Sequence, residues 1–74
     1  MSSEIVNTLE GCVNKVIMIK LRNNRTIRGT LQAFDIHMNL ILNKTEDITD
    51  DEVENLDHII LRGDNIIAVY LPDN

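Results

Sequence analysis

After Gly11 the chain becomes a series of short alternating apolar runs. VIMIKL places Ile17, Ile19 and Leu21 on one face, with Met18 and Lys20 on the other. TIRGTLQAF places Ile27, Gly29, Leu31 and Ala33 on one face, opposite Arg28, Thr30 and Gln32. MNLIL opens a third run that reaches Lys44 or beyond, HIIL is a fourth, and IIAVYL is a fifth closed by Pro72. Successive side chains leave a strand on opposite faces, so a period of two predicts half-buried strands. The connections are short. Asn23-Asn24 suits a hairpin turn because Asn tolerates positive φ, and RGDN reads as a tight turn. Gly29 has no side chain to pack and predicts a sharp bend or a close backbone approach. Consecutive strands without long crossovers predict an all-β domain, a small antiparallel barrel or strongly bent sheet.

A short helix precedes the strands, predicted over residues 2–10. Ser2 and Ser3 are N-cap residue types, and Glu4 suits the positive end of the helix dipole. Ile5, Val6 and Leu9 share one helical face, and Gly11 marks the stop. The 74 residues make one domain, 1–74. A chain this short buries only about 60% of its unfolded surface and needs help to be stable. Cys12 is the only cysteine, which excludes an internal disulfide, and one Cys with two His at no ligand spacing predicts no metal site and no cofactor. Oligomerisation is the remaining aid. The last two strands are rich in Ile, Leu and Val, and exposed apolar edges add strands between chains. If one edge meets a different edge of the next copy, the contact is heterologous and can close into a ring.

The formal net charge is −5, but the acidity is local. Residues 46–57 hold seven of the twelve acids and none of the Lys or Arg, which leaves seven bases against five acids elsewhere. Such a run predicts a solvated acidic loop. The N-terminus shows no basic region or long apolar run, and neither VIMI nor any other apolar stretch is long enough for a membrane span. The expectation is a soluble, cytoplasmic protein.

FDIHMNLIL sets Asp35, His37 and Asn39 at alternate positions between apolar runs, which on a strand would share a face. Together with the residues before it, IRGTLQAFDIHMNLIL resembles the first signature of the Sm and Sm-like (LSm) proteins: apolar-x-Gly, an Asp, Met-Asn, then aliphatics, with Glu46 where that signature tends to end in an acid. IILRGDNIIAVYL resembles the second, with Arg-Gly in a turn between aliphatic runs. The two occur in order across nearly the whole chain, and DIHMN and RGDN are most similar to archaeal single-domain forms. Asn24 stands where the family usually has Gly. The resemblance implies a bent five-stranded sheet capped by a helix, assembled fourth strand to fifth strand into a homo-oligomeric ring, commonly a heptamer. It implies uridine-rich single-stranded RNA held around the pore, and a ribonucleoprotein role in RNA processing, stability or assembly.

The implied RNA-binding residues are His37, Asn39, Arg62, Gly63 and Asp64. His37 and Arg62 are planar and can stack on a base, which does not choose the base. The Asn39 amide can choose. Uracil shows an acceptor, O4, beside a donor, N3–H, and one amide matches both. A rotated amide would match cytosine, so something must set its orientation. Asp35, an acceptor when ionised, can bond only the NH₂ side, and its expected role is to support Asn39 from behind. Gly63 is expected to let backbone N–H groups of the turn approach the ligand. Asp64 either accepts from a base or ribose, or caps the turn. Met38 is expected in the core, Cys12 as a small buried or interfacial residue, and His58 in solvent. Arg22, Arg25 and Arg28 cluster near one hairpin, as solvated charges or a second RNA surface. Two rivals stand beside RNA binding. A Mg²⁺-dependent nuclease built on Asp35, Glu46 and Asp64 has no defensible ligand spacing and no nucleophile–base pair, so no enzyme is expected. A protein-interaction adaptor would dock basic partners through the acidic loop.

Overall fold

A computed structural model describes residues 3–72. The helix α1 covers Glu4–Glu10, and the Ser3 hydroxyl accepts the Val6 N–H at 3.0 Å. Ser2, the other cap residue named from the sequence, lies outside the described residues. Of the stripe Ile5–Val6–Leu9, only Leu9 is buried, while Ile5 is 63% exposed. The helix ends at Gly11 with the backbone still right-handed (φ −69°), so the stop does not use glycine's freedom. The left-handed residue comes at Asn14, φ 72°, whose N–H donates to the Leu31 carbonyl at 2.7 Å.

Five strands follow: β1 Val16–Leu21, β2 Thr26–Phe34, β3 Leu40–Asp47, β4 Glu54–Leu61 and β5 Ile66–Tyr70. They form one antiparallel sheet in the order β4-β3-β2-β1-β5. In the β1–β2 hairpin Asn24 takes φ 66°, its N–H donates to the Leu21 carbonyl at 3.1 Å, and the Asn23 side chain accepts the Arg25 N–H. The inward faces alternate as expected through Ile17, Ile19, Leu21, Ile27 and Leu31, and Leu40 and Leu42 complete the core with Leu9 and Cys12.

Register shifts bend the sheet, because an unpaired extra residue raises the local twist. The β2–β3 pairing shifts between Arg28 and Thr30 and again between Leu31 and Ala33. The second shift turns Ala33 out to solvent, although strict alternation had it inward. At the first, a Cβ on Gly29 would sit 2.9 Å from Thr45 Oγ1 and 3.3 Å from Thr45 Cα, so this glycine admits β3 at close range.

The acidic segment 46–57 is less of a loop than its composition suggests. β3 runs through Asp47 and β4 starts at Glu54. Glu46 and Asp47 lie opposite Arg28 and Ile27 on β2, and Arg28 and Arg25 neutralise them at 2.6 and 2.7 Å. Ion pairing thus carries the strand into what reads as a solvated run. β4 and β5 form the two edges of the sheet. Ile60 on β4 is 68% exposed and Ile67 on β5 is 58% exposed. No helix among the described residues is long and apolar enough to cross a membrane.

Candidate functional site

Asp35 to Asn39 do not form the alternating strand face that their spacing suggests. They make the turn between β2 and β3, and β3 starts only at Leu40. Asp35 organises the turn. Its Oδ1 accepts the backbone N–H groups of His37 (2.9 Å) and Asn39 (3.0 Å), and its Oδ2 accepts Asn39 Nδ2 at 3.0 Å. The Asp35 carbonyl takes the Met38 N–H. Bonds to the ionised form favour it: the Asn39 amide first, then the Asn39 and His37 backbone N–H groups and the nearby His37 ring, hold the Asp35 carboxyl below the usual carboxylate range. Met38 takes φ 65°, which packs its side chain against the core while His37 stays exposed.

The second loop is Arg62 and the 3-10 turn Gly63–Asn65 that joins β4 to β5. The Gly63 N–H donates to Asn39 Oδ1 at 2.8 Å. The two loops are therefore joined, and the Asn39 amide is held from both sides, NH₂ to Asp35 and O to Gly63. This second restraint was not foreseen from the sequence, where Gly63 is expected to open backbone to a ligand. Instead, a Cβ there would fall on the His37 carbonyl oxygen and lie 2.9 Å from the Met38 carbonyl carbon. The space left by the missing side chain is occupied by the His37–Met38 backbone, and the Gly63 N–H is engaged within the protein.

His37, Met38, Asn39, Arg62, Gly63 and Asp64 line one open depression of about 510 Å³. All five expected contact residues lie along it, with Asp35 just behind. Asn39 and Arg62 also border a second depression of about 370 Å³ with Phe34, Ile41 and Ile60 among its walls. Arg62 and Asp64 approach at 3.5 Å, and both side chains are largely exposed. Such a pair is weak and leaves the guanidinium free to reorient.

The hairpin arginines do not form one basic surface. Arg25 bonds Asp47 and approaches Asp50 at 3.8 Å, and Arg28 bonds Glu46. Arg22 instead reaches the 3-10 turn, Nε to the Asp64 carbonyl at 2.8 Å. Asp47, only 7% exposed, also accepts the Thr49 hydroxyl (2.6 Å) and N–H (3.0 Å). Those two bonds, then the Arg25 guanidinium, hold its carboxyl low. A depression of about 580 Å³ over the acidic loop runs from Arg25 to Glu54 and offers mainly carboxylates, with no planar ring. His58 is exposed on β4 and Cys12 is buried and unpaired. Among the described residues no three His, Cys, Asp or Glu are grouped to hold a metal ion.

Comparison with known proteins places these features in context. A family model for the LSM domain matches residues 7–71. A protein of Methanococcoides burtonii named as snRNP Sm-like is 34% identical over 70 residues, covering 93% of this chain and 97% of that one. The solved SmAP1 heptamer of P. aerophilum superposes with a TM-score of 0.91 at 31% identity, covering 100% of both chains. An Sm protein of Pyrococcus abyssii, solved in complex with a uridine heptamer, superposes with a TM-score of 0.87 at 30% identity, covering 95% of this chain and 100% of that one.

Proposed function

The chain belongs to the LSM domain family, and from that premise we propose that it is the repeating subunit of a ring that binds uridine-rich single-stranded RNA around its pore. The observation that carries the reading is the doubly restrained Asn39 amide. Asp35 Oδ2 takes one of its two N–H donors and Gly63 N–H takes one lone pair of its oxygen. One donor and one acceptor remain, in a fixed order. That order matches uracil O4 and N3–H and mismatches cytosine, whose edge presents donor and acceptor reversed. His37 and Arg62 supply flat groups beside it, worth roughly 1–3 kcal/mol per stacked base without choosing the base. Asp64 borders the same depression and is the further polar contact.

The ring part of the proposal rests on the two unpartnered edges, β4 and β5, with their exposed Ile60 and Ile67, and on likeness to Sm proteins solved as heptamers. The uridine part gains support from the Pyrococcus abyssii complex. The protein acts by binding and is not an enzyme. A role in RNA processing, stability or ribonucleoprotein assembly follows from holding such tracts.

Asp35→Ala tests the amide lock. The expected outcome, for a variant that remains folded, is a loss of preference for oligo-U over oligo-C that exceeds the loss of general RNA affinity. Equal weakening toward both homopolymers would refute the lock.

A further inference from the structure

Arg22 lies just beyond β1 and grips the 3-10 turn through two bonds. Its backbone N–H donates to the Asn65 carbonyl at 2.9 Å, and its Nε donates to the Asp64 carbonyl at 2.8 Å. The last carbonyls of a helical turn have no partner within it. Here the Arg62 and Gly63 carbonyls are taken by the N–H groups of Asn65 and Ile66. The next two, Asp64 and Asn65, are taken by Arg22. A register shift in the β1–β5 pairing at Lys20/Leu21, with Leu21 opposite Ile66, brings Arg22 beside the turn. Arg25 and Arg28 are instead committed to Asp47 and Glu46.

We propose that Arg22 is a positioning residue for base recognition. By holding the Asp64 and Asn65 carbonyls it fixes the turn whose first N–H, from Gly63, restrains Asn39 Oδ1 at 2.8 Å. Loss of the side-chain bond leaves the far end of the turn held by the Arg22 backbone N–H alone, which lets that donor shift and the amide rotate, so the side chain acts on base choice without touching the base. The role rests on the RNA-binding reading above. Lysine keeps the charge but lacks a planar group anchored through Nε, so it replaces this contact poorly.

The test compares wild type, Arg22→Ala, Arg22→Lys and Arg28→Ala in competition binding of oligo-U and oligo-C over a range of salt, with circular dichroism as the folding control. Wild type and Arg28→Ala should prefer oligo-U equally. Arg22→Ala should lose roughly five- to tenfold of that preference, the scale of one hydrogen bond. Arg22→Lys should lose a smaller part, and it decides the matter if Arg22→Ala does not fold. The salt slope should stay at its wild-type value. An unchanged preference in the folded Arg22 variants overturns the proposal. So does an equal loss for both oligomers with the slope reduced by about 0.7, which would mark Arg22 as a phosphate contact. A wild type that does not discriminate would instead remove the base-reading account itself, and this role with it.

Discussion

Asn39 is the residue on which the site turns, and its chemistry depends on two neighbours from different parts of the chain. Asp35 is four positions away and Gly63 twenty-four. Asp35 also has a pH signature. Its folded-state pKa is lowered, so the stabilisation it gives is complete above the ordinary carboxylate value, about 3.9, and is lost as pH falls through the lowered folded value. The ratio of oligo-U to oligo-C affinity should therefore stay flat from neutral pH to about 5 and collapse only in stronger acid. Competition titrations across pH would check this. The ratio is the right quantity because stacking on His37 adds to both oligomers alike. A ratio that already falls near neutrality would contradict the role given to the carboxylate.

Among the elements, the strands and the turns at Asn23-Asn24 and RGDN were legible, and the turn at Asp35 to Asn39 was not. Alternation revealed β1 and the start of β2 because those residues face a core that rewards a period of two. It misled at FDIHMN, where a turn happens to share that period. The cause is the Asp35 side chain, which accepts two backbone N–H groups and lets Met38 adopt positive φ. Nothing periodic records such bonds. The Gly63–Asn39 and Arg22–Asp64 contacts were invisible for another reason: they span loops that only the bent sheet brings together. The acidic end of β3 was missed because its charges are neutralised by arginines on or next to a neighbouring strand, which composition along the chain does not show. The bend itself carries a prediction. Thr45 is fully buried beside Gly29, and its Oγ1 has no hydrogen-bond partner among the described residues. An unmet buried hydroxyl costs about 1–3 kcal/mol, whereas an apolar group of the same shape does not. Thr45→Val should raise stability by about 1 kcal/mol, read as a higher midpoint in thermal or denaturant unfolding. A fall in stability would mean that the hydroxyl is satisfied in solution.

At the scale of the whole molecule, one such shallow site would by itself hold a base weakly. Repeated around an axis, the same site meets successive bases of one strand at high effective concentration. The edges β4 and β5 are the surfaces available for that repetition, since among the described residues each is paired on one side only. Ile60→Lys places a charge on the exposed β4 edge, a substitution that opposes strand addition. It should lower the assembled mass in native mass spectrometry and reduce affinity for long uridine tracts to that of a single site, with the fold retained. Full assembly with wild-type mass would remove β4 from the interface. The most direct measurement is the dissociation constant of the wild-type protein for oligo-U of increasing length, from two to about seven nucleotides, at one salt concentration. The ring account predicts affinity that rises steeply with each added uridine. Affinity independent of length would contradict it.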